Sequence, residues 1–509
     1  MRQKKYSVVW LFLVVFSLIW FSPALAAEAK NVILLIGDGM GPEPVGLAIY
    51  YNRFMNGMEK RLNMERLMAV GNTGYCLTYQ YGTVVTDSAS AATALASGVK
   101  TRDAIIGKDH DGRPMKTITD IAHQLGKSTG LISNTRITHA TPAAFYAHII
   151  HRDMENEIAS QLIERGDLNV AFSGGARHFI PAGTKVEDHP DLKGVDKKAG
   201  WGRSGRKDGR DLIQEAKSKG YAIVANEREL SALEAKDKDK VLGLFSASEF
   251  ASAIDRQPQQ QTGVPMLSQL TEKALEILKK NPRGFFLMVE GGQIDTAAHR
   301  NDVAGVLHEM LEFDRAIGVV MAFAESNPDT LVVLTADHDT GGVAIAYSNY
   351  QPPAPLKLSN GETWKTKHNF AEKVIFEKMA RQKKSFQKMV EDSKWNAAAL
   401  KKEIGENTAF AITEEQAASL LAKDPQTRFP VTREYSDFYS SDEKTPTALM
   451  GRLFGKETNT AWAAGTHTHT PVMVIANGPA AENFRGLLDN VDIPQIIARG
   501  WGETLPAPK

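Results

Sequence analysis

NVILLIGDGMG, residues 31–41, runs five apolar residues, Val32 to Ile36, straight into Gly37-Asp38-Gly39. A continuous apolar run, rather than an alternating one, reads as a short strand buried on both faces. The Gly-Asp-Gly turn then places a carboxylate at the strand's carboxyl end. The same pattern recurs along the chain. TGLIS (129–133), LNVAFSGG (168–175), GFFLMVEGGQID (284–295), TLVVLTADHDTGG (330–342) and PVMVIANGP (471–479) are apolar runs that end in glycine, an acid or a turn. Helix-like stretches lie between them, among them MKTITDIAHQLGK (115–127), MLSQLTEKALEILKK (266–280) and DVAGVLHEMLEFDRAIGVVMAFA (302–324). Strand alternating with helix predicts an α/β fold: a central, mainly parallel sheet sandwiched by helices.

Lys+Arg and Asp+Glu each number 60, so nothing in the overall charge calls for a nucleic-acid or other polyelectrolyte partner. The N-terminus has a basic front (Arg2, Lys4, Lys5), an apolar run from Val8 to Phe21 and a small-residue ending, Ala24-Leu25-Ala26. That layout reads as a secretory signal peptide over residues 1–26, with export to the periplasm or medium and no membrane anchor after cleavage. A transmembrane anchor is the competing reading, but the apolar run is short of the ~20 residues a span needs. The single cysteine, Cys76, excludes an intramolecular disulfide and sits in the strand-like GNTGYCLTY, where a buried small hydrophobe is expected. Residues 343–462 break the strand–helix rhythm with a loop-like opening and a charged, helix-prone stretch. They read as an insertion, a cap or arm, on a core formed by 27–342 and 463–509. A shorter insertion is expected over 176–215.

Ligands in an open α/β sheet bind beyond the carboxyl ends of the strands. Asp38, Glu290 and Asp337 each follow an apolar run, and carboxylates converging on one sheet edge repel unless a cation neutralises them. His338 adjoins Asp337. Asp295 and His299 share a face if helical, being four residues apart. GTHTHTP adds His467 and His469. Asp and His without thiolates suit Zn²⁺ best. In TDSASAATALASG (86–98), Ser88 would lie at the N-terminus of a helix of small residues, at its positive end. It reads either as a metal-activated nucleophile or as a helix cap.

Together GDGMG, TDSASAATALASGVKT, THATPAAF, VEGGQIDTAAH, TADHDTGG and, after the insertion, GTHTHTPVMV resemble bacterial alkaline phosphatase, in that family's order. The resemblance implies hydrolysis of phosphate monoesters through a phosphoserine at Ser88, two Zn²⁺, one Mg²⁺ and a homodimer. It implies that Asp295, His299 and one histidine of GTHTHTP hold the first zinc. Asp38, Asp337 and His338 would hold the second, and Asp38, Thr141 and Glu290 the magnesium. Arg152 would clamp the phosphoryl group. His467 is preferred to His469 because the family histidine precedes the final strand by five positions. His139 stands near the third ion where some members carry Asp, and Thr296 stands where others carry Lys, His or Trp. The insertion would form a crown or lid near the dimer interface. A phosphodiesterase of the same superfamily and a non-catalytic secreted phosphate- or metal-binding protein are the alternatives. A sulfatase is disfavoured because Cys76 is followed by Leu-Thr-Tyr-Gln, not by the C-x-P-x-R context its nucleophile needs.

Overall fold

The computed structural model describes residues 29–197, 201–256, 263–428 and 438–505. The signal segment read over residues 1–26 lies outside the described residues. Ten strands form one sheet. In chain order they are β1 (Asn31–Gly37), β2 (Asn72–Leu77), β3 (Ser128–Arg136), β4 (Val170–Gly174), β5 (Ala222–Val224), β6 (Val241–Leu244), β7 (Phe285–Gly291), β8 (Thr330–Ala336), β9 (Val472–Asn477) and β10 (Gly486–Asp489). Their spatial order is β10-β2-β9-β8-β1-β7-β3-β4-β6-β5. All neighbours run parallel except β9, which is antiparallel to both β2 and β8. β1, β7 and β8 are buried along their whole length, as their unbroken apolar runs require.

Five helices carry the site or tie its surroundings together: α1 (Ser88–Ser97), α2 (Ala140–Ala143), α3 (Gln293–His299), α4 (Val303–Ser326) and α5 (Pro446–Thr458). Every residue of α1 is buried. Only a helix of Ala, Ser and Thr with one Leu can lie that deep without separating its neighbours. Gly98, with φ of 71°, ends it in the left-handed conformation that glycine adopts without strain. Cys76 is buried in β2, and burial pushes its thiol pKa up, which suits packing and not nucleophilic chemistry.

At the two ends of residues 343–462, Val343–Ile345 pairs antiparallel with Thr460–Trp462 as a two-stranded ribbon. Between these strands lie short helices that bury a second apolar cluster, including Phe386, Met389, Leu400, Ile404 and Leu420, against Leu449 and Phe454 of α5. One buried carboxylate ties this unit to the core. Asp302 caps α4 by accepting from Gly305 N at 3.0 Å, and also accepts from Phe386 N at 2.8 Å and Gln382 Nε2 at 2.8 Å. Asp302→Ala would leave two buried backbone donors, Gly305 N and Phe386 N, without an acceptor and leave Gln382 Nε2 only the Lys384 carbonyl. It is expected to lower unfolding free energy by about 2–4 kcal/mol in chemical denaturation, with proteolysis first appearing between residues 380 and 420. A change below about 0.5 kcal/mol would show that this anchor is dispensable.

Candidate metal centre

Strand register assembles the centre. Ile36 of β1 pairs with Glu290 of β7, and Gly37 pairs with both Gly291 of β7 and Ala336 of β8. Asp38 and Asp337, one residue beyond those pairs, therefore emerge side by side at the carboxyl ends of adjacent parallel strands, with Glu290 a step below. All three are fully buried. Gly39 makes the turn possible: its φ is 72°, and a Cβ there would lie 2.8 Å from Asp295 Cα.

Two groups of ligand-type atoms share Asp38. In one, His338 Nε2 lies 3.2 Å from Asp337 Oδ2 and 3.5 Å from Asp38 Oδ1. In the other, Asp38, His139 and Glu290 converge, with Thr141 Oγ1 of α2 donating to Asp38 Oδ2 at 3.4 Å. Ser133 and Thr135 both donate to Glu290 Oε2, which leaves Oε1 facing the cluster. Asp38 Oδ1, Asp337 Oδ2, Glu290 Oε1 and His139 Nδ1 are buried and have no hydrogen-bond partner. Buried polar atoms are ordinarily paired, so four orphans pointing into one place fit bound cations.

A third group lies beside the first. Asp295 Oδ2 is 3.3 Å from His299 Nε2, and Asp295 Oδ1 is 3.6 Å from His467 Nε2. Thr340 donates to Asp295 Oδ1 at 2.5 Å. His299 Nδ1 lies 2.6 Å from the Gly465 carbonyl, and His467 Nδ1 lies 2.8 Å from the Thr86 carbonyl. A carbonyl only accepts, so both Nδ1 atoms carry a proton, and each ring turns its Nε2 inward, as a lone pair whenever the ring is neutral. Those two Nε2 atoms are 3.2 Å apart. Two lone pairs at that distance need a proton or a metal ion between them. Carbonyl-fixed imidazoles with inward lone pairs are the usual arrangement of metal-ligating histidines.

The electrostatics agree. Burial and the neighbouring Asp295 push Asp337 up to about 7. Burial and the charges of Asp337, Asp295 and Glu290 hold Asp38 well above the carboxylate range. Burial holds His338 down at about 4 and His467 at about 3, so both are neutral and able to ligate. Burial opposes the charge on His299, but the Asp295 carboxylate outweighs it and raises that imidazole to about 9. Unit charges 4 Å apart repel by about 4 kcal/mol at an effective dielectric constant of about 20. Without cations the cluster can persist only by holding protons.

The profile of the family described as alkaline phosphatase matches residues 29–501. The chain belongs to the alkaline phosphatase family. It is 34% identical over 483 residues to alkaline phosphatase 4 of Bacillus subtilis, covering 92% of this chain and 88% of that one. It is 35% identical over 361 residues to the human tissue-nonspecific isozyme, covering 64% and 65%. The crystal structure of Thermus thermophilus alkaline phosphatase superposes with a TM-score of 0.78 at 27% identity, covering 96% of this chain and 93% of that chain. A cold-active alkaline phosphatase from Shewanella sp. gives 0.69 at 28% identity, covering 92% and 98%. The chain is therefore a metal-dependent hydrolase of the alkaline phosphatase class, on the α/β fold expected of it.

Ser88 meets the metal centre directly. Its Oγ lies 3.2 Å from His338 Nε2, and the residue is 2% exposed. It does not cap the helix. Asp87 does, accepting from Ser90 N at 2.9 Å. The other Asp87 oxygen accepts from Ala104 N at 3.0 Å and from Arg152 Nη1 at 3.2 Å. Arg152 Nη2 also lies 3.1 Å from His139 Nε2. Asp87 therefore aims Arg152, a role that residue order alone did not assign; an acid directly before a buried Ser-Ala helix was its only signal. Ser133, Thr135 and Thr340, which orient the acids, were likewise not singled out. The register partner of Glu290 is Ser133, but strand pairing is not visible in one sequence. Thr296 lies on α3 beside the centre. His469 is exposed and belongs to none of the three groups.

Metal uptake must displace the protons on Asp337 and His299, whose values are raised in the metal-free protein. Affinity should rise with pH until those protons have left. It is expected to fall about tenfold per pH unit below about 9 at the group containing His299, and likewise below about 7 at the group containing Asp337. Calorimetric zinc titration of chelated protein in buffers of different ionisation enthalpy reads both affinity and proton release. Affinity unchanged between pH 6 and 9 would contradict these assignments.

Proposed function

We propose that this enzyme hydrolyses phosphate monoesters by two in-line displacements through a phosphoserine at Ser88, releasing inorganic phosphate. The observation that carries the reading is the Ser88 hydroxyl, buried at the first residue of α1 and 3.2 Å from the ring of His338. Asp295, His299 and His467 would hold one zinc; Asp38, Asp337 and His338 a second. Asp38, Thr141 and Glu290 would hold a magnesium, with His139 beside it. Mixed imidazole and carboxylate donors suit Zn²⁺, and oxygen donors suit Mg²⁺. Bound there, the cations would supply Lewis acidity, making the hydroxyl and a water nucleophilic near neutral pH and stabilising charge on the leaving oxygen.

The protein's own residues supply position and charge. Arg152 presents a planar fork for two phosphoryl oxygens, and Asp87 holds that fork against the α1 N-terminus. The N-terminus of α1 adds its positive dipole end at the point of attack. Ser88 attacks phosphorus from the His338 side, so the ester oxygen leaves on the opposite side. Water then attacks the phosphoserine from the vacated side. The small side chains of α1 leave room for a bulky anion. An arginine and a third cation suit a doubly charged phosphoryl group, which favours monoesters over diesters.

The proposal extends to architecture and location. The ribbon of Val343–Ile345 with Thr460–Trp462 supports residues 343–462 as an insertion on the core. The basic-apolar-small order of residues 1–26 supports export to the periplasm or medium. Among the described residues no helix is long and apolar enough to cross a membrane. The family resemblance supports a homodimer.

Ser88→Ala is expected to lower kcat/KM for a phosphate monoester by about 3–6 kcal/mol of transition-state stabilisation, on the order of a hundredfold to ten-thousandfold, with metal content unchanged. Acid quenching after incubation with a ³²P-labelled monoester should trap label on the wild type and none on the variant. Label retained on the variant, or faster cleavage of bis-p-nitrophenyl phosphate than of p-nitrophenyl phosphate by the wild type, would overturn the reading.

A further inference from the structure

A cavity of about 580 Å³ opens beside the metal centre, lined by Thr296, His299, Arg300, Trp395, Asp442 and Arg428 among others. That volume lies within the range of small-molecule pockets. Its position relative to the nucleophile follows from the imidazoles. Ser88 contacts His338, the His338 ring stacks on His467 at 3.7 Å, and the His299 ring lies 5.0 Å beyond His467. An in-line displacement by Ser88 expels the leaving group away from the serine. The far end of this imidazole series is His299, where the cavity begins.

Two features of the cavity wall go unused by the fold. The Arg300 guanidinium is half-buried, yet makes no hydrogen bond or ion pair among the described residues. Trp395 is 56% exposed, an unusual position for a large aromatic ring at a cavity rim. It is held there by two consecutive residues in the left-handed region, Lys394 with φ of 50° and Trp395 with φ of 58°. Bulky residues seldom adopt that conformation, and such strain gathers at ligand sites. Arg428 supports the ring: Nε and Nη1 donate to the carbonyls of Ala422 and Lys444, and its guanidinium lies 5.7 Å from the Trp395 ring centre. The wall thus offers an aromatic plane, a free donor fork at Arg300 and carboxylate acceptors at Asp442 and Glu391.

We infer that this cavity is the leaving-group subsite and that it selects nucleoside monophosphates. A nucleobase is planar and carries both donors and acceptors at its edge. It stacks on Trp395 and accepts from Arg300, while its phosphoryl group meets Ser88 and Arg152. A polyol leaving group can use the hydrogen bonds but not the aromatic plane. The inference rests on the phosphomonoesterase reading and specifies the alcohol that reading leaves open.

The test compares kcat/KM of the metal-loaded enzyme for AMP and for glycerol 3-phosphate. The wild type should favour AMP by about tenfold, the size of one base–aromatic stack. Trp395→Ala should remove that preference, leave glycerol 3-phosphate within twofold, and be largely rescued by Trp395→Phe. Arg300→Gln should also lower AMP selectively. Adenosine, which carries no phosphoryl group to cleave, should bind the metal-loaded wild type in calorimetric titration and not bind Trp395→Ala. Equal use of both esters by the wild type, a parallel loss of both in Trp395→Ala, or adenosine binding unchanged in that variant would each overturn the subsite and leave the phosphatase reading standing. Failure of the wild type to cleave either ester would overturn both.

Discussion

The structure depends on how buried negative charge is balanced. Parallel pairing of β1 with β7 and β8 fixes Asp38, Glu290 and Asp337 within one region of the sheet edge. None of the three can turn to solvent, because all are fully buried. Burial of carboxylates without partners is costly, and the groups either take up protons or gather cations. The raised values of Asp38 and Asp337 are the first response; the orphaned oxygens facing one another are the geometry of the second.

Around that charge the protein builds a rigid frame of hydrogen bonds. The carbonyls of Thr86 and Gly465 fix the ring faces of His467 and His299. Thr340 holds Asp295, and Ser133 with Thr135 holds Glu290. Asp87 joins two parts of the site, capping the helix that carries Ser88 and gripping Arg152. A site held this way needs little reorganisation when charge develops, which is where electrostatic catalysis gains most. Residues from the segment after β8, Trp395 and Arg428, then reach the wall of the neighbouring cavity.

Much of this was readable from residue order, and the exceptions have physical causes. Continuous apolar runs marked β1, β3, β4, β7, β8 and β9, and each was found within a few residues of its expected place. β5, β6 and β10 are three or four residues long and carry too short a pattern to stand out. The sense of β9, the one antiparallel strand of the ten-stranded sheet, depends on pairing that no local pattern encodes. The helix of small residues begins at Ser88, where the sequence placed its N-terminus, and Asp87 supplies the cap. Asp and His at strand ends stood out as candidate ligands because each follows or adjoins a buried apolar run. The threonines and serines that orient them were not, since such residues are common in turns and strands alike. Residues 343–462 gave no strand–turn rhythm, and their second apolar cluster forms from short helices whose partners are distant in sequence.

Diffraction from crystals of the purified protein, recorded on both sides of the zinc absorption edge, tests the charge balance most directly. Two zinc anomalous peaks are expected: one about 2.0–2.1 Å from Nε2 of both His299 and His467, the other at the same distance from Nε2 of His338 and within ligating reach of Asp38 and Asp337. Zinc-replenished crystals with no anomalous density among these residues, and with Asp38 and Asp337 instead paired by protons or by other side chains, would contradict it.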